Sequence, residues 1–259
     1  MDLELNGKLA LITGSTAGIG FAIAASLAAE GARVIINGRT QKRVDEAVAK
    51  IGVNAAGLAA DLGTAEGVAI ATERFPDVDI LVNNLGIFEP KQFVDITDQD
   101  WLRFFEVNVL SGVRLSRYYL PRMKAAGWGR ILFLSSESGV QIPIEMIHYG
   151  MTKTAQLAIS RGLAETTAGT GVTVNAILPG PTASDGVAQF VEQLAKEHGM
   201  DRAAFEKEFF EKARPSSLLK RFATPHEVAA LVTFVASPRS SATNGAALRV
   251  DGGVVRSIV

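Results

Sequence analysis

Short apolar runs alternate with longer helical patterns along the whole chain. This alternation restricts the fold more than any other feature. The runs are Leu9 to Thr13, Val34 to Ile36, Ala55 to Ala60, Ile80 to Val82, Arg130 to Leu134, Val172 to Leu178 and Ala246 to Val250. They are unbroken and largely aliphatic, as strands buried on both faces must be. Helix-like stretches lie between them: Ile19 to Glu30, Gln41 to Ile51, Thr97 to Ala126 and Met151 to Ala168. Strands separated by helices build right-handed βαβ units and a parallel sheet. The chain is therefore expected to be an α/β three-layer sandwich with a seven-stranded parallel sheet. No linker or repeat interrupts the pattern, so residues 1–259 are read as one domain.

One region departs from the alternation. Between Pro179 and Pro215 there is no strand pattern, only helical patches at Val187 to Lys196 and Ala203 to Ala213. An insertion of this size after a strand suggests a small helical substrate lobe, about 183–215, with a plain peripheral decoration as the alternative.

Composition removes several function classes. The 26 basic and 27 acidic residues leave a net charge of -1, so nothing favours a nucleic-acid partner. With no cysteine, disulfides, thiolate catalysis and cysteine-bound metal are excluded. No His/Asp/Glu cluster has metal-ligand spacing, and no metal is expected. Mean hydropathy is +0.20. The longest apolar stretches, Ile19 to Ala29 and Val228 to Ala236, nonetheless fall far short of the ~20 residues a membrane span needs. The acidic start lacks the pattern of a secretory signal, and a cytoplasmic location is expected.

The turn after the first strand reads Thr13-Gly14-Ser15-Thr16-Ala17-Gly18-Ile19-Gly20. Glycines there let backbone approach a pyrophosphate, and the helix start favours its charge. The context of strand, turn and helix points to a dinucleotide and a Rossmann-like fold, although the spacing is Gly-x-x-x-Gly-x-Gly. An ordinary tight turn is the alternative. The second strand ends Ile36-Asn37-Gly38-Arg39-Thr40. No carboxylate is present to select NAD(H), and Arg39 offers a planar charged fork to a 2′-phosphate. NADP(H) is therefore favoured, unless Arg39 is merely a solvated helix-start residue.

Tyr149 and Lys153 are four residues apart, on one face if that segment is helical. A phenol titrates near 10 and is a poor base at neutral pH. A lysine cation about 4 Å away contributes about 4 kcal/mol at an effective dielectric of 20, enough to bring it toward about 7. A surface helix pair is the bland reading of such spacing. Nearby patterns argue for more. Ser135, Ser136 and Ser138 end one strand and Asn83-Asn84-Leu85-Gly86 ends another, where open α/β sheets place ligands. Asn108 sits within a helical pattern where asparagine has poor propensity.

Together these motifs resemble the short-chain dehydrogenase/reductase family over essentially the whole chain. The resemblance rests on Thr13-Gly14-x-x-x-Gly18-x-Gly20, Asp61-Leu62, Asn83-Asn84-Leu85-Gly86, Asn108, Ser136, Tyr149-x-x-x-Lys153, Pro179-Gly180 and Asp251-Gly252-Gly253. It implies that Tyr149 is the general acid/base and that Ser136 orients the carbonyl or alcohol oxygen. Lys153 would lower the Tyr149 pKa and hold the nicotinamide ribose, and Asn108 would order a water linking Lys153 to solvent. It also implies cofactor contacts from Gly14, Ser15, Thr16, Gly18, Ile19 and Gly20. Asp61 and Leu62 match the adenine-contacting pair, and Asn84 and Gly86 a contact near the adenosine ribose. Pro179, Gly180, Thr182 and Ser184 match the segment that meets the nicotinamide amide. Ser184 stands where the family more often has Thr, and Leu85 where it usually has Ala.

Enoyl reductases of the family carry Lys seven residues after the Tyr, where this chain has Gln156. The expectation is thus an NADP(H)-dependent enzyme interconverting carbonyl and alcohol. A non-catalytic cofactor-binding regulator is the rival, although Ser136, Tyr149 and Lys153 are all intact. His148, beside Tyr149, is read as a pocket-lining or packing residue rather than a catalytic one; Glu137 and Glu145 are read as solvated or structural, with contact to a basic group on a substrate as the alternative. Phe88, Ile142 to Ile147, Val187, Phe190 and Val191 would give the substrate an apolar partner. Phe205, Phe209 and Phe210 are read more simply as the packed face of a lobe helix. The family commonly forms dimers or tetramers, and Val254, Val255, Ile258 and Val259 are compatible with burial in a second copy.

Overall fold

In the computed structural model, which describes residues 1–184 and 200–258, each expected strand is present within two residues of its expected ends. The strands are β1 (Leu9–Ile12), β2 (Arg33–Gly38), β3 (Ala55–Ala59), β4 (Ile80–Asn83), β5 (Gly129–Leu134), β6 (Val172–Pro179) and β7 (Ala247–Val250). All pairings are parallel, in the order β3-β2-β1-β4-β5-β6-β7. The winding reverses between β1 and β4. At that switch point the carboxyl ends of neighbouring strands open a crevice.

The helices are α1 (Gly18–Ala29), α2 (Gln41–Ile51), α3 (Ala65–Arg74), α4 (Asp98–Phe105), α5 (Ser111–Ala125), α6 (Ile147–Glu165), α7 (Arg202–Lys212) and α8 (Pro225–Ala236). Strand neighbours point to opposite faces and seed two cores. Ile12, Ile36, Val82 and Leu132 pack against Ile23 and Leu27 of α1 and Val228 and Val232 of α8. Leu11, Ile35, Leu81 and Ile131 pack against Leu115, Tyr119 and Met123 of α5. Truncating Leu27 to Ala would cost about 2–5 kcal/mol, because both layers fix its surroundings. The polar tie between α1 and α8 is Thr233 Oγ1 donating to Ser26 Oγ at 2.8 Å. Thr224 and Glu227 close a capping box at the start of α8, with Pro225 in its first turn.

Three expectations change. The helix read as continuous from Thr97 to Ala126 contains a π-helical turn, Glu106–Leu110, between α4 and α5. Helix α6 begins four residues earlier than its pattern suggested and so includes Tyr149. Met146, at its N-cap position, makes no side-chain cap, so the sequence carries no start signal there. Val254 and Val255 are buried within their own chain and need no partner to cover them, whereas Ile258 is exposed. The lobe contains α7, matching the patch at Ala203 to Ala213. The patch at Val187 to Lys196, with Val187, Phe190 and Val191, lies outside the described residues, as does Val259. Among the described residues no helix is long and apolar enough to cross a membrane.

Candidate active site

The turn after β1 is clamped from both sides by asparagine. Asn84 Nδ2 donates to the carbonyls of Thr13 and Gly14 at 2.8 and 3.1 Å. Thr13 Oγ1 in return accepts from the amides of Asn84 and Leu85. From β2, Asn37 Oδ1 accepts the Gly14 amide at 3.0 Å, while its Nδ2 binds the Leu58 and Ala60 carbonyls. Gly14 has φ +61°, and a Cβ on Gly20 would lie 2.5 Å from Asn84 Nδ2 and 2.6 Å from the Gly14 carbonyl. Only glycine fits there. Ala17 stands at the N-cap of α1 and has no side chain that can cap it. A tight glycine cradle at a helix start whose N-cap residue brings no side-chain cap fits a dinucleotide pyrophosphate.

The neighbouring positions divide into side-chain and backbone candidates. Thr16 packs on Gly38, where a Cβ would come within 2.5 Å of its methyl group. Arg39 follows and is exposed, as a residue meeting a phosphate from solvent would be. Ser15 Oγ is committed to the Ile12 carbonyl and the Asn37 amide, and Asp61 Oδ1 accepts the Gly63 amide. Leu62 is buried in the core beside Val68, so its side chain offers a ligand nothing and only its backbone remains for the contact expected there.

Ile19, Asn84, Gly86, Ser136, Tyr149, Lys153, Pro179, Gly180, Thr182 and Ser184 line one cavity of about 830 Å³. Gly14, Ser15, Thr16, Gly18, Gly20, Arg39, Asp61, Leu62 and Asn108 are not part of its wall. Ser136 caps a short 3₁₀ turn, Glu137–Gly139, with its Oγ accepting the Ser138 amide at 3.1 Å. Tyr149 and Lys153 face the cavity from α6, with Lys153 Nζ 5.6 Å from the Tyr149 ring centre. Ser135 Oγ donates to the Lys153 carbonyl, fixing α6 against the end of β5.

The electrostatics differ from the simple pair. Burial pushes the Tyr149 phenol up to about 12, and the charge of Glu137 adds to this; Ser136 and the charge of Arg214 oppose it. Lys153 is itself 4% exposed, and burial brings its ammonium down to about 7. Burial is thus the largest influence on both groups.

Asn108 lies in the π-turn and is 1% exposed. Its Oδ1 accepts the Ile87 amide at 2.8 Å, and its Nδ2 donates to the Ile87 carbonyl and to Thr152 Oγ1, both at 3.0 Å. These bonds explain a buried asparagine within a helix and hold the segment after β4 against α6. Asn108 and Lys153 are also joined through the side chain of Gln156. The Asn108 carbonyl accepts from Gln156 Nε2, and Gln156 Oε1 accepts from Lys153 Nζ.

Over the cavity lie Phe205, Glu208, Phe209 and Lys212 of α7. Phe88 meets Tyr149 edge to face at 6.5 Å. Phe205 and Phe209 face the cavity, while Phe210 is buried against Phe222. Glu145 and Met146 reach the cavity, whereas Ile142 and Ile144 are exposed. Glu137 is buried and accepts from Arg214 Nε at 2.8 Å, so it is structural rather than solvated. His148 is buried against Phe104 and Trp101, its pKa lowered by burial, which bears out a packing role.

A family model described as enoyl-(acyl carrier protein) reductase matches residues 14–255. The chain belongs to the short-chain dehydrogenase/reductase family. YvaG of Bacillus subtilis, named an uncharacterized oxidoreductase, is 50% identical over 100% of both chains. D-beta-hydroxybutyrate dehydrogenase of Cupriavidus necator is 35% identical over 97% of this chain and 99% of its own. L-sorbose reductase from Gluconobacter frateurii, solved with NADPH and L-sorbose, is 33% identical with a TM-score of 0.94, covering 100% of both chains. Membership makes this chain an oxidoreductase with a dinucleotide-binding fold.

Within this short-chain dehydrogenase/reductase site, sequence reasoning missed three features. Gln156 marks the absence of a lysine, but a polar residue on the buried face of α6 is a signal in itself. Arg214 carries no sequence signal, because its partners Glu137 and Glu145 are about seventy residues away in sequence. Thr152, buried beside Lys153, accepts from Asn108 and would have been legible as a polar residue on the same inward face.

Proposed function

We propose that the chain is an NADP(H)-dependent oxidoreductase that interconverts a small-molecule carbonyl and an alcohol. The observation that carries this reading is the convergence of Ser136, Tyr149 and Lys153 on one cavity whose wall includes Asn84, Gly86, Pro179 and Gly180. The nicotinamide, when bound, supplies or accepts the hydride. Tyr149, a neutral phenol at pH 7, holds the proton that the carbonyl oxygen receives in reduction. Ser136 Oγ orients that oxygen. Lys153 holds ribose hydroxyls and, as an ammonium, eases loss of the Tyr149 proton in the oxidative direction.

The cofactor preference rests on Arg39 and on the missing carboxylate at the end of β2. The relative solved with NADPH agrees with it. Asp61, Leu62, Thr182 and Ser184 complete the proposed cofactor contacts, Leu62 through its backbone. Gln156, where enoyl reductases have lysine, argues for a carbonyl rather than a carbon–carbon double bond. Two relatives, named for hydroxybutyrate and sorbose, point the same way. Phe88, Met146 and Phe209 in the wall suit a substrate with an apolar part. We also propose a cytoplasmic homodimer or homotetramer. Exposed Leu102 and Phe105 on α4 favour association, and light scattering tests it.

The test is NADPH and NADH oxidation against ketones, aldehydes and 3-oxoacyl thioesters. Turnover with NADPH preferred is expected, falling about 10²–10⁴-fold in Tyr149→Phe. Cofactor binding without turnover on any member would favour a regulator instead.

A further inference from the structure

Lys153 is buried, and both of its hydrogen-bond partners are neutral carbonyl oxygens. Nζ donates to the Leu134 carbonyl at 2.7 Å and to Gln156 Oε1 at 3.2 Å. Gln156 lies almost one turn further along α6 and is also buried. Its Nε2 donates to the main-chain carbonyl of Asn108 at 2.5 Å. The amide orientation is forced, since an ammonium can only donate and a carbonyl can only accept. We infer that Gln156 is the positioning residue for Lys153, joining its ammonium to the Asn108 carbonyl through one side chain.

This inference rests on the reading of Lys153 as part of the working site. One consequence follows from the chemistry of an amide. An apolar residue at 156 would leave a desolvated N–H of Lys153 without an acceptor, favouring the neutral amine.

The charged and titratable groups around that cavity come from several elements. Tyr149 is on the same helix, Glu137 follows β5, and Glu145 precedes α6. Glu208, Lys212 and Arg214 come from α7 and the residues after it. Among the described residues none of these accepts a hydrogen bond from Lys153 Nζ. Gln156 and Leu134 are its hydrogen-bonded acceptors.

The test is a pH titration of the cofactor-free protein by NMR with ¹³C-labelled lysine, the Lys153 signal assigned with Lys153→Met. Gln156→Met, similar in shape but without an acceptor, should lower the Lys153 midpoint by about one pH unit or more. Gln156→Glu, which sets a carboxylate beside the ammonium, should raise it by a similar amount. Should Gln156→Met fail to fold, the upward shift in Gln156→Glu decides alone. Midpoints unmoved, or moved in the same direction by both variants, would overturn the inference. Because the readout needs no turnover, this result is separable from the failure of the carbonyl reading. In turnover, the alkaline limb of kcat/KM should move in opposite directions in the two variants, which a merely structural residue would not produce.

Discussion

Arg214 Nε donates to Glu137 Oε1 at 2.8 Å across 77 residues of sequence, joining the segment after α7 to the residue that follows Ser136. Both side chains are nearly buried. Glu137 Oε2 also accepts from Ser138 Oγ, and Arg214 Nη1 reaches Glu145 at 3.3 Å. The cover of the cavity and the turn that holds Ser136 are thus one electrostatic unit.

Breaking that unit on one side should be costly. Arg214→Met leaves the Glu137 carboxylate buried with one hydroxyl, and a loss of about 3–5 kcal/mol is expected in urea denaturation. Adding Glu137→Gln removes the stranded charge and should recover much of it. A loss under about 1 kcal/mol would mean that the pair behaves as a surface bridge.

Asn108→Ala removes both partners of Ile87. The Ile87 amide and carbonyl each lose a partly buried bond, at about 1–3 kcal/mol per unsatisfied group. Hydrogen exchange should quicken at Ile87 and its neighbours, together with a fall in Tm. Unchanged protection at Ile87 would contradict the bridging role.

At the other end of the crevice, Arg39→Asp replaces a cation by an anion beside the proposed 2′-phosphate. Loss of a charge-assisted bond of about 1.5–3 kcal/mol should shift the NADPH to NADH preference by roughly ten- to a hundredfold. An unchanged ratio of kcat/KM values would mean that Arg39 does not meet the phosphate.

Lys153 makes stability depend on pH. Its ammonium is held near 7 in the folded chain, against 10.5 when unperturbed. Between these values the unfolded chain binds more protons, so stability contributed at this site rises from about pH 7 toward 10 and is lowest below 7. The slope should flatten in Lys153→Met when unfolding free energies are compared at pH 7 and 9. An identical slope in both proteins would place the titration elsewhere.

The sheet was legible because its strands, buried on both faces, announce themselves as unbroken aliphatic runs. Ile80 to Val82 is read directly as β4. The glycine turn was legible from its spacing between a strand and a helix, although the Asn84 side chain that crowds Gly20 comes from beyond β4. What was not legible depends on contacts between distant segments. Asn108 stands out in the sequence, but its bonds to Ile87 and Thr152 and the π-turn in which it lies show only in the folded chain. The spacing of Tyr149 and Lys153 was readable, whereas the burial that drives both groups toward their neutral forms was not. Arg214 has no periodic relation to Glu137, so only the folded chain brings them together.

The most direct measurement is deuterium transfer from NADPH labelled at C4 of the nicotinamide, each face in turn, into a substrate that the panel shows to be reduced. Mass spectrometry should find one deuterium on the carbinol carbon for one label only, and almost none in the same time with Tyr149→Phe. Deuterium on a carbon formerly part of a carbon–carbon double bond, or transfer undiminished in Tyr149→Phe, would contradict carbonyl reduction at this site.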